Sequence, residues 1–496
     1  MRNNSDSVFL NAVSRKRRVR DFVCVAIGYV YYVKTYRAPV SYAFVVYFCK
    51  QFNRKRKLKT ARLHKFPYNR KNTYIKHKEI IMKKTNPFYE ENAIPVSEFR
   101  DWSAMTLKPY NKNTASPYTK TRVILMNGTE FEQCWFLHNF SRHEKNNDLR
   151  RELALLRRHE QQQQKVISSL KPVDESPLET TISYEQLAVD LTAVLARHVK
   201  DENVKNALNF ALLEDFDHLY RFANLLESEQ GKSAKDITRE YTEIMPGRPT
   251  IAEHRHPFDA INNSICNLKS DLFTVLVTNI ITAAEQQTMN YYMNIGDLHP
   301  TSEGRKLYAE IAMIEEQHVT EYGSLLDTTC GWLENLIMHE YTECYLYHSC
   351  ALDETDKNMK KIYERLYLEE CGHLIHSKNL YKTYAGKDAM SLFPDGADFP
   401  EPLMFEGNIE YIRDVIARTD CFTKKLEGYE CVHNLPSDDV FRQYNKSVNK
   451  RTDAVASHNV IDEHIRKFGK DYRYEVKEHP VTELASRTHD NTTFAR

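Results

Sequence analysis

Four acids and two histidines in the second half of the chain stand in a repeated pattern. Glu285, Tyr292, Glu315 and His318 recur 55 residues later as Glu340, Tyr347, Glu370 and His373. Each copy reads Glu-x6-Tyr and then, beyond a turn, Glu-x-x-His. On an α-helix, residues i and i+3 share one face a turn apart, so the Glu and His of each Glu-x-x-His reach the same point in space. Residues i and i+7 share a face as well, which puts each Tyr two turns from its Glu. Two helical hairpins of this kind supply four carboxylates and two imidazoles. That is the donor set for a pair of metal ions held among four helices, with one Glu from each of two helices and Glu-x-x-His from each of the others. Mixed carboxylate and imidazole donors suit iron or manganese, and the spacing does not choose between them. A structural zinc site would recruit thiolates, and no Cys belongs to the repeat.

Those helices must be long and must bury the acids. Apolar residues precede the acids, as at Ile280, Ile281, Ala283 and Ala284 before Glu285, and Leu336, Ile337 and Met338 before Glu340. Burying four carboxylates without a cation costs several kcal/mol each, roughly, so a paired cation is the reading that removes the penalty. Apolar and aromatic positions echo at the same offset: Ile281 with Leu336, Tyr308 with Tyr363, Leu325 with Leu380. The expected helices are 271–294, 303–326, 331–351 and 356–384, joined through a short link near Asp327–Gly331. The alternative, solvated acids on exposed helix faces, does not account for the duplicated spacing.

The stretches Thr282–Tyr292, Ile314–His318, His339–Tyr347 and Leu368–His373 resemble the ferritin-like superfamily, and within it the rubrerythrin-type di-iron domains. The resemblance covers under a quarter of the chain. It implies a mainly α fold: a ferritin-like four-helix bundle with an additional N-terminal helical hairpin and irregular flanking regions. It implies two iron ions, with manganese as the alternative, and a reaction with O2 or H2O2 of peroxidase, ferroxidase or oxygenase type. By the same resemblance Glu315 and Glu370 are bridging ligands, Glu285, Glu340, His318 and His373 are terminal, and Glu343 is a movable extra ligand. Tyr292 and Tyr347 hydrogen-bond the metal carboxylates or carry radical equivalents, or simply pack at a helix interface. The chain departs from the family in two ways. It has no Cys-x-x-Cys, so the rubredoxin module is missing and the electron donor is unknown. Only 21 residues separate His318 from Glu340, too few for a long crossover, which leaves a plain up-down bundle or helices exchanged within a homodimer.

Composition bounds the rest. A chain of 496 residues has room for several domains, and only 14 Gly with 41% hydrophobic residues disfavours a Rossmann or large β architecture. The ten Cys lack framework spacing and read as reduced thiols of a cytoplasmic protein. No Gly-rich phosphate loop, Gly-x-Ser-x-Gly or His-Glu-x-x-His is present. The net charge of +1 hides an asymmetry: residues 1–81 hold 20 Lys or Arg against 3 acids, so the remainder is strongly acidic. That segment reads either as a basic arm for nucleic acid or anionic lipid, making the chain a non-catalytic helical interaction protein, or as a stretch preceding a true start at Met82. Its apolar run Phe22–Val33 is 12 residues long, short of the roughly 20 needed to span a bilayer. A signal peptide there lacks a small-residue cleavage site.

Five regions follow: the basic segment 1–81, a mixed region 82–178, a helical hairpin and loop over 179–260, the di-metal bundle over 261–390 and a polar extension over 391–496. Within the second, Asn127–Gly128 reads as a turn between short strands. Residues 144–169 read as a surface helix with a thin apolar stripe, and 171–177 as a linker. In the third, Ser183 with Gln186 resembles a capping box opening helices 183–199 and 201–228. Glu185, Asp215 and His218 there lie 100 residues before Glu285, Glu315 and His318. They are either a further metal-binding hairpin or a packing relic of duplication, and the second reading prevails because Glu185 falls in a first turn, where the helix dipole favours any acid, and acids crowd 214–217. Glu253, His254 and His256 form a loop with weaker ligand spacing, read mainly as a cover over the bundle. A short helix is expected near 408–419, and 436–496 is expected to be peripheral or partly disordered.

Overall fold

The computed structural model describes residues 21–26, 29–34, 85–248 and 250–469. The chain divides into two compact units, Met1–Ile80 and Ile81–Arg496. In the first, β1 (Asp21–Ala26) and β2 (Tyr29–Lys34) pair antiparallel, with Asp21 opposite Lys34 and Ala26 opposite Tyr29. The apolar run Phe22–Val33 falls in this hairpin, where the sequence showed no strand period. The rest of the basic segment, and Met82 after it, lie outside the described residues. No helix of the described residues is long and apolar enough to cross a membrane.

The second unit is built from helical hairpins. The first is α1 (Pro117–His143) with α2 (Asn147–Ser168), and the second is α3 (Pro177–His198) with α4 (Glu202–Gln230). Short helices α5 (Ala234–Thr238) and α6 (Thr250–Glu253) follow. The third hairpin is α7 (Leu272–Gly296) with α8 (Ser302–Gly323), and the fourth is α9 (Trp332–Asp353) with α10 (Lys357–Leu380). Beyond them come α11 (Ile409–Thr419), a two-stranded ribbon of β3 (Phe422–Lys425) and β4 (Gly428–Cys431), α12 (Val440–Val448) and α13 (Ala456–Phe468). The helix starts are set by side chains that accept from otherwise unpaired backbone N–H groups. Asp201 caps α4, Asp271 caps α7, Thr301 caps α8 and Asp356 caps α10. The capping box that opens α3 is Ser176 with Glu179 rather than Ser183 with Gln186. Ser183 lies inside the helix, buried, because Pro177 at the first turn lets the helix begin earlier.

The hairpins do not associate as neighbours in sequence. The first and fourth close on each other: Gln133 of α1 donates to Glu340 of α9 at 2.7 Å, and His373 of α10 meets His159 of α2 at 2.9 Å. The second and third do likewise, with Tyr292 of α7 donating to Glu185 of α3 at 2.6 Å and His218 of α4 2.9 Å from Glu315 of α8. The expected single bundle of α7 to α10 is therefore replaced by two groups of four helices, the inner pair of hairpins nested between the outer pair in sequence. This also resolves the short link between α8 and α9. It joins two groups and need not cross one, and both groups close without helices from another chain.

Three local expectations change with it. Asn127–Gly128 lies within α1, where Asn127 donates to Gln287 and a Cβ on Gly128 would sit 2.9 Å from the Gln287 amide nitrogen. The glycine marks the close approach of α1 to α7, so no turn forms. The helix of 144–169 lies at the surface by one face, with Arg151, Ala154, Arg158 and Lys165 exposed, but its other face is more than a thin apolar stripe: His159, Glu160 and Gln163 of α2 are fully buried. The polar extension is partly core, since α13 packs on α4 and α8 and buries Ala456, Val460 and Ile461. The helix at Ile409–Thr419 falls where the sequence places it.

One segment before the helices packs directly beside the repeat. Ile94 N donates to Leu368 O at 2.8 Å, and Gly372, between Glu370 and His373, faces that stretch of backbone. A Cβ at Gly372 would lie 1.8 Å from the Ile94 carbonyl oxygen. Gly372→Ala is accordingly expected to destabilise the fold by about 1–3 kcal/mol despite the better helix propensity of alanine, because rigid backbone must shift. Thermal or denaturant unfolding of the purified variant measures it.

Candidate metal centres

Each hairpin carries an acid on its first helix and a second acid 30 residues later: Glu130 with Glu160, Glu185 with Asp215, Glu285 with Glu315, Glu340 with Glu370. Three residues beyond the second acid stand Gln163, His218, His318 and His373. Helical spacing turns all of these inward, and the pairing of hairpins brings them into two clusters. In the first, ligand atoms of Glu160, Glu340, Glu370 and His373 lie within 4.8 Å of one another, and so do those of Glu130, Glu160 and Glu343. In the second, Asp215, Glu285, Glu315 and His318 meet this distance, as do Glu185, His218 and Glu315. Glu160 belongs to both halves of the first cluster and Glu315 to both halves of the second. Every one of these side chains is buried.

The imidazoles all present Nδ1 to their cluster. His318 Nδ1 lies 3.2 Å from both Asp215 and Glu315, while its Nε2 is 2.7 Å from Glu214. Glu214 is gripped in turn by Arg248 at 2.6 Å and Arg255 at 3.0 Å. His218 Nδ1 faces Glu315, and its Nε2 stands 3.5 Å from Glu253, which Arg221 holds at 2.7 Å. His373 Nδ1 is 2.8 Å from Glu160 and 3.3 Å from Glu370. Its Nε2 meets Nδ1 of His159, whose own Nε2 is 2.9 Å from the Glu98 carbonyl oxygen. A carbonyl only accepts, so His159 carries its hydrogen on Nε2. Burial, and then the neighbouring His373, lower the His159 pKa and keep it neutral. His159 Nδ1 therefore accepts from His373 Nε2–H. Burial opposes the His373 imidazolium, but Glu160 and Glu370 outweigh it and hold the group well above its usual range, so Nδ1 keeps a proton that a cation bound there would replace. An outer partner that fixes the tautomer and turns the free nitrogen inward is the arrangement of metal-binding histidines.

The two tyrosines of the repeat are joined to the clusters. Tyr292 donates to Glu185, and Tyr347 donates to Glu130. Burial and the adjacent carboxylates push both phenols well above their usual range, so they remain donors.

The electrostatics describe a site short of positive charge. Burial, and then neighbouring carboxylates, push Glu285, Glu343 and Glu130 far above the ordinary carboxylate range. Burial raises Glu160 to about 7 against the pull of His373. Burial opposes the imidazolium of His218, but Glu253 and Glu315 outweigh it and raise the group to about 10. Burial likewise opposes the imidazolium of His318, and Asp215, Glu214 and Glu315 outweigh it and hold the group well above its usual range. Divalent cations fit this set, since they replace the missing positive charge and the protons together. Glu343 is a direct sign of that fit, because both of its buried oxygens lack a hydrogen-bond partner.

The seven residues expected as metal ligands are thus divided. Glu285, Glu315 and His318 lie in the second cluster, and Glu340, Glu343, Glu370 and His373 lie in the first. Glu185, Asp215 and His218, read from sequence mainly as a packing relic, complete the second cluster. The acids that crowd them have separate roles, Glu214 behind His318 and Asp217 as an acceptor for Arg221 and for the Gly247 N–H. Glu130 and Glu160 were missed, although they precede Glu185 and Asp215 by the same 55 residues. Gln163 stands where the histidine would have signalled them. In the 253–256 loop neither His254 nor His256 joins a cluster among the described residues, and Glu253 supports His218 from outside. Compared with known family models, characterised proteins and solved structures, the chain matches none.

Two outcomes are expected. His218→Ala and His318→Ala should lower metal binding at the second cluster to a similar degree, while His373→Ala should spare it; metal analysis of the three variants checks this. The second concerns pH. A carboxyl raised in the folded state binds more protons folded than unfolded from about pH 4.5 upward, and a raised histidine does so from about 6.5 upward. Both contributions to stability are lost as pH rises through the folded values, about 7 for Glu160 and about 10 for His218. Metal-free protein should therefore melt at progressively lower temperature from pH 5 to pH 9, and saturating manganese should remove most of that slope.

Proposed function

We propose that this chain is a ferritin-like di-metal carboxylate protein with two dinuclear centres, each in its own four-helix bundle, and that it reacts with O2 or H2O2. The observation that supports the reading best is the second cluster. There Glu185, Asp215, His218, Glu285, Glu315 and His318 form a pseudo-symmetric set of four carboxylates and two imidazoles inside four helices. Two divalent cations would balance the four carboxylates with the imidazoles neutral. Glu315, shared by both halves of the second cluster, would hold both ions, with Glu185 and His218 around one and Asp215, Glu285 and His318 around the other. In the first cluster Glu160 would hold both, with Glu130 and Glu343 around one and Glu340, Glu370 and His373 around the other. Iron is the preferred occupant and manganese the alternative, and either supplies one-electron redox chemistry when bound.

The residues around the centres do the rest. Tyr292 and Tyr347 hold the terminal carboxylates Glu185 and Glu130 in place by hydrogen bonds. The apolar surroundings, such as Ile280, Ile281, Ile311 and Leu346, exclude bulk water, which favours a small oxidant over a large substrate. With no rubredoxin-type cysteines, the reductant is a separate partner.

Anaerobic loading with Fe(II) tests the reading. The protein should retain about four iron ions per chain, two for each bundle. Adding H2O2 should oxidise them with stoichiometric peroxide loss, and Glu315→Ala should reduce retention to about two. A chain that holds neither iron nor manganese under these conditions would falsify the proposal.

A further inference from the structure

The two clusters differ at two buried positions. Three residues after Asp215, α4 carries His218; three residues after Glu160, α2 carries Gln163. Three residues after Glu285, α7 carries Thr288; three residues after Glu340, α9 carries Glu343. Thr288 donates its hydroxyl back to the Ala284 carbonyl at 3.0 Å and takes no part in its cluster. Glu343 instead brings an oxygen within 4.8 Å of those of Glu130 and Glu160. An imidazole lost on α2 is thus matched by a carboxylate gained on α9. Gln163 is fully buried, and neither its amide oxygen nor its amide nitrogen has a partner. Its oxygen is therefore free to serve as a donor.

We infer that the position framed by Glu130, Glu160, Glu343 and Gln163 is an all-oxygen cation site that favours manganese over zinc relative to the other three positions. Each of those three has an imidazole, from His373, His218 or His318. Carboxylate and amide oxygens suit hard ions such as Mn(II), whereas an imidazole strengthens the hold on Zn(II), which otherwise displaces manganese from most sites. The inference rests on the reading that both clusters hold paired cations. It adds that the first is a mixed-preference pair and the second a matched one.

The test uses the full chain, freed of metal, saturated anaerobically with Mn(II) and then equilibrated with rising Zn(II). Bound manganese and zinc are measured after desalting. About three manganese ions should leave together, and the last should require roughly tenfold more zinc, as the loss of one nitrogen donor implies. Gln163→His should bring the last ion out with the others. Glu343→Gln should release it at the lowest zinc concentration, or prevent its binding, while leaving the second cluster loaded. Should one variant fail to fold, the other and the wild-type displacement curve still decide. Release of all four ions in a single step from the wild type overturns the inference but leaves the paired-cation reading intact. Gln163→His retaining its last manganese as the wild type does also overturns it. A chain that binds neither ion removes the underlying reading instead.

Discussion

Nine carboxyl groups buried in two clusters with only three imidazoles among them are the constraint on which the structure turns. Water is excluded from both places, and each unpaired charge there costs several kcal/mol, roughly, unless it is neutralised. Protons can do this in part, which is why burial raises so many of these groups together. Cations do it better. The long helices, the caps that fix their starts and the nested pairing of the hairpins all place these acids at two points rather than along a surface.

The nesting has its own physical requirement. If the outer hairpins are to close on each other around one cluster while the inner hairpins close around another, the two groups must pack side by side. Helix α1 lies against α7 and α3 as well as its own partners. Gly128 permits the approach, and Gln287 fills the space, accepting from Asn127 and donating to the Ile124 carbonyl at 2.7 Å. A glycine inside a helix costs about 1 kcal/mol relative to alanine, and here that cost is offset by contact between helices of different groups.

The repeat of Glu, Tyr and Glu-x-x-His made the helices of 271–384 and their inward acids legible in the sequence, along with their boundaries to within a few residues. Partnership was not legible. Period and spacing say which face of a hairpin is buried, but not which other hairpin it meets, and two copies at one offset suggested a mutual pair. The hairpin of Glu130 and Glu160 was hidden by two local signals, a glutamine in the histidine place and an Asn-Gly that reads as a turn in any sequence lacking its tertiary contact. The hairpin of Glu185, Asp215 and His218 was seen but discounted, because Glu214 and Asp217 made the spacing look accidental. Their partners explain the crowding: Glu214 orients His318 and Asp217 accepts from Arg221. Acid density was itself a trace of the groups behind these rings, since a buried imidazole with one nitrogen turned inward has its orientation fixed by an acceptor at the other.

That outer shell separates the two clusters as clearly as the ligands do. Behind His318 and His218 stand carboxylates, Glu214 and Glu253, neutralised by Arg248 and Arg255 in the first case and by Arg221 of α4 in the second. An imidazole that donates to a carboxylate is a more basic ligand, and the arginines let that carboxylate stay ionised in the interior. Glu214 is accordingly held far below its usual range: Arg255 and Arg248 outweigh the burial that would raise it. Behind His373 stands a neutral His159, anchored to a backbone carbonyl with no arginine in the chain of bonds. The first cluster therefore concentrates its negative charge in the inner ring, with five carboxylates, while the second distributes it between four inner carboxylates and two outer ones compensated by arginine. Two pairs of hairpins with one acid pattern thus place their charge differently, and Arg248 and Arg255, from a stretch with no counterpart between the first and second hairpins, make the second arrangement possible.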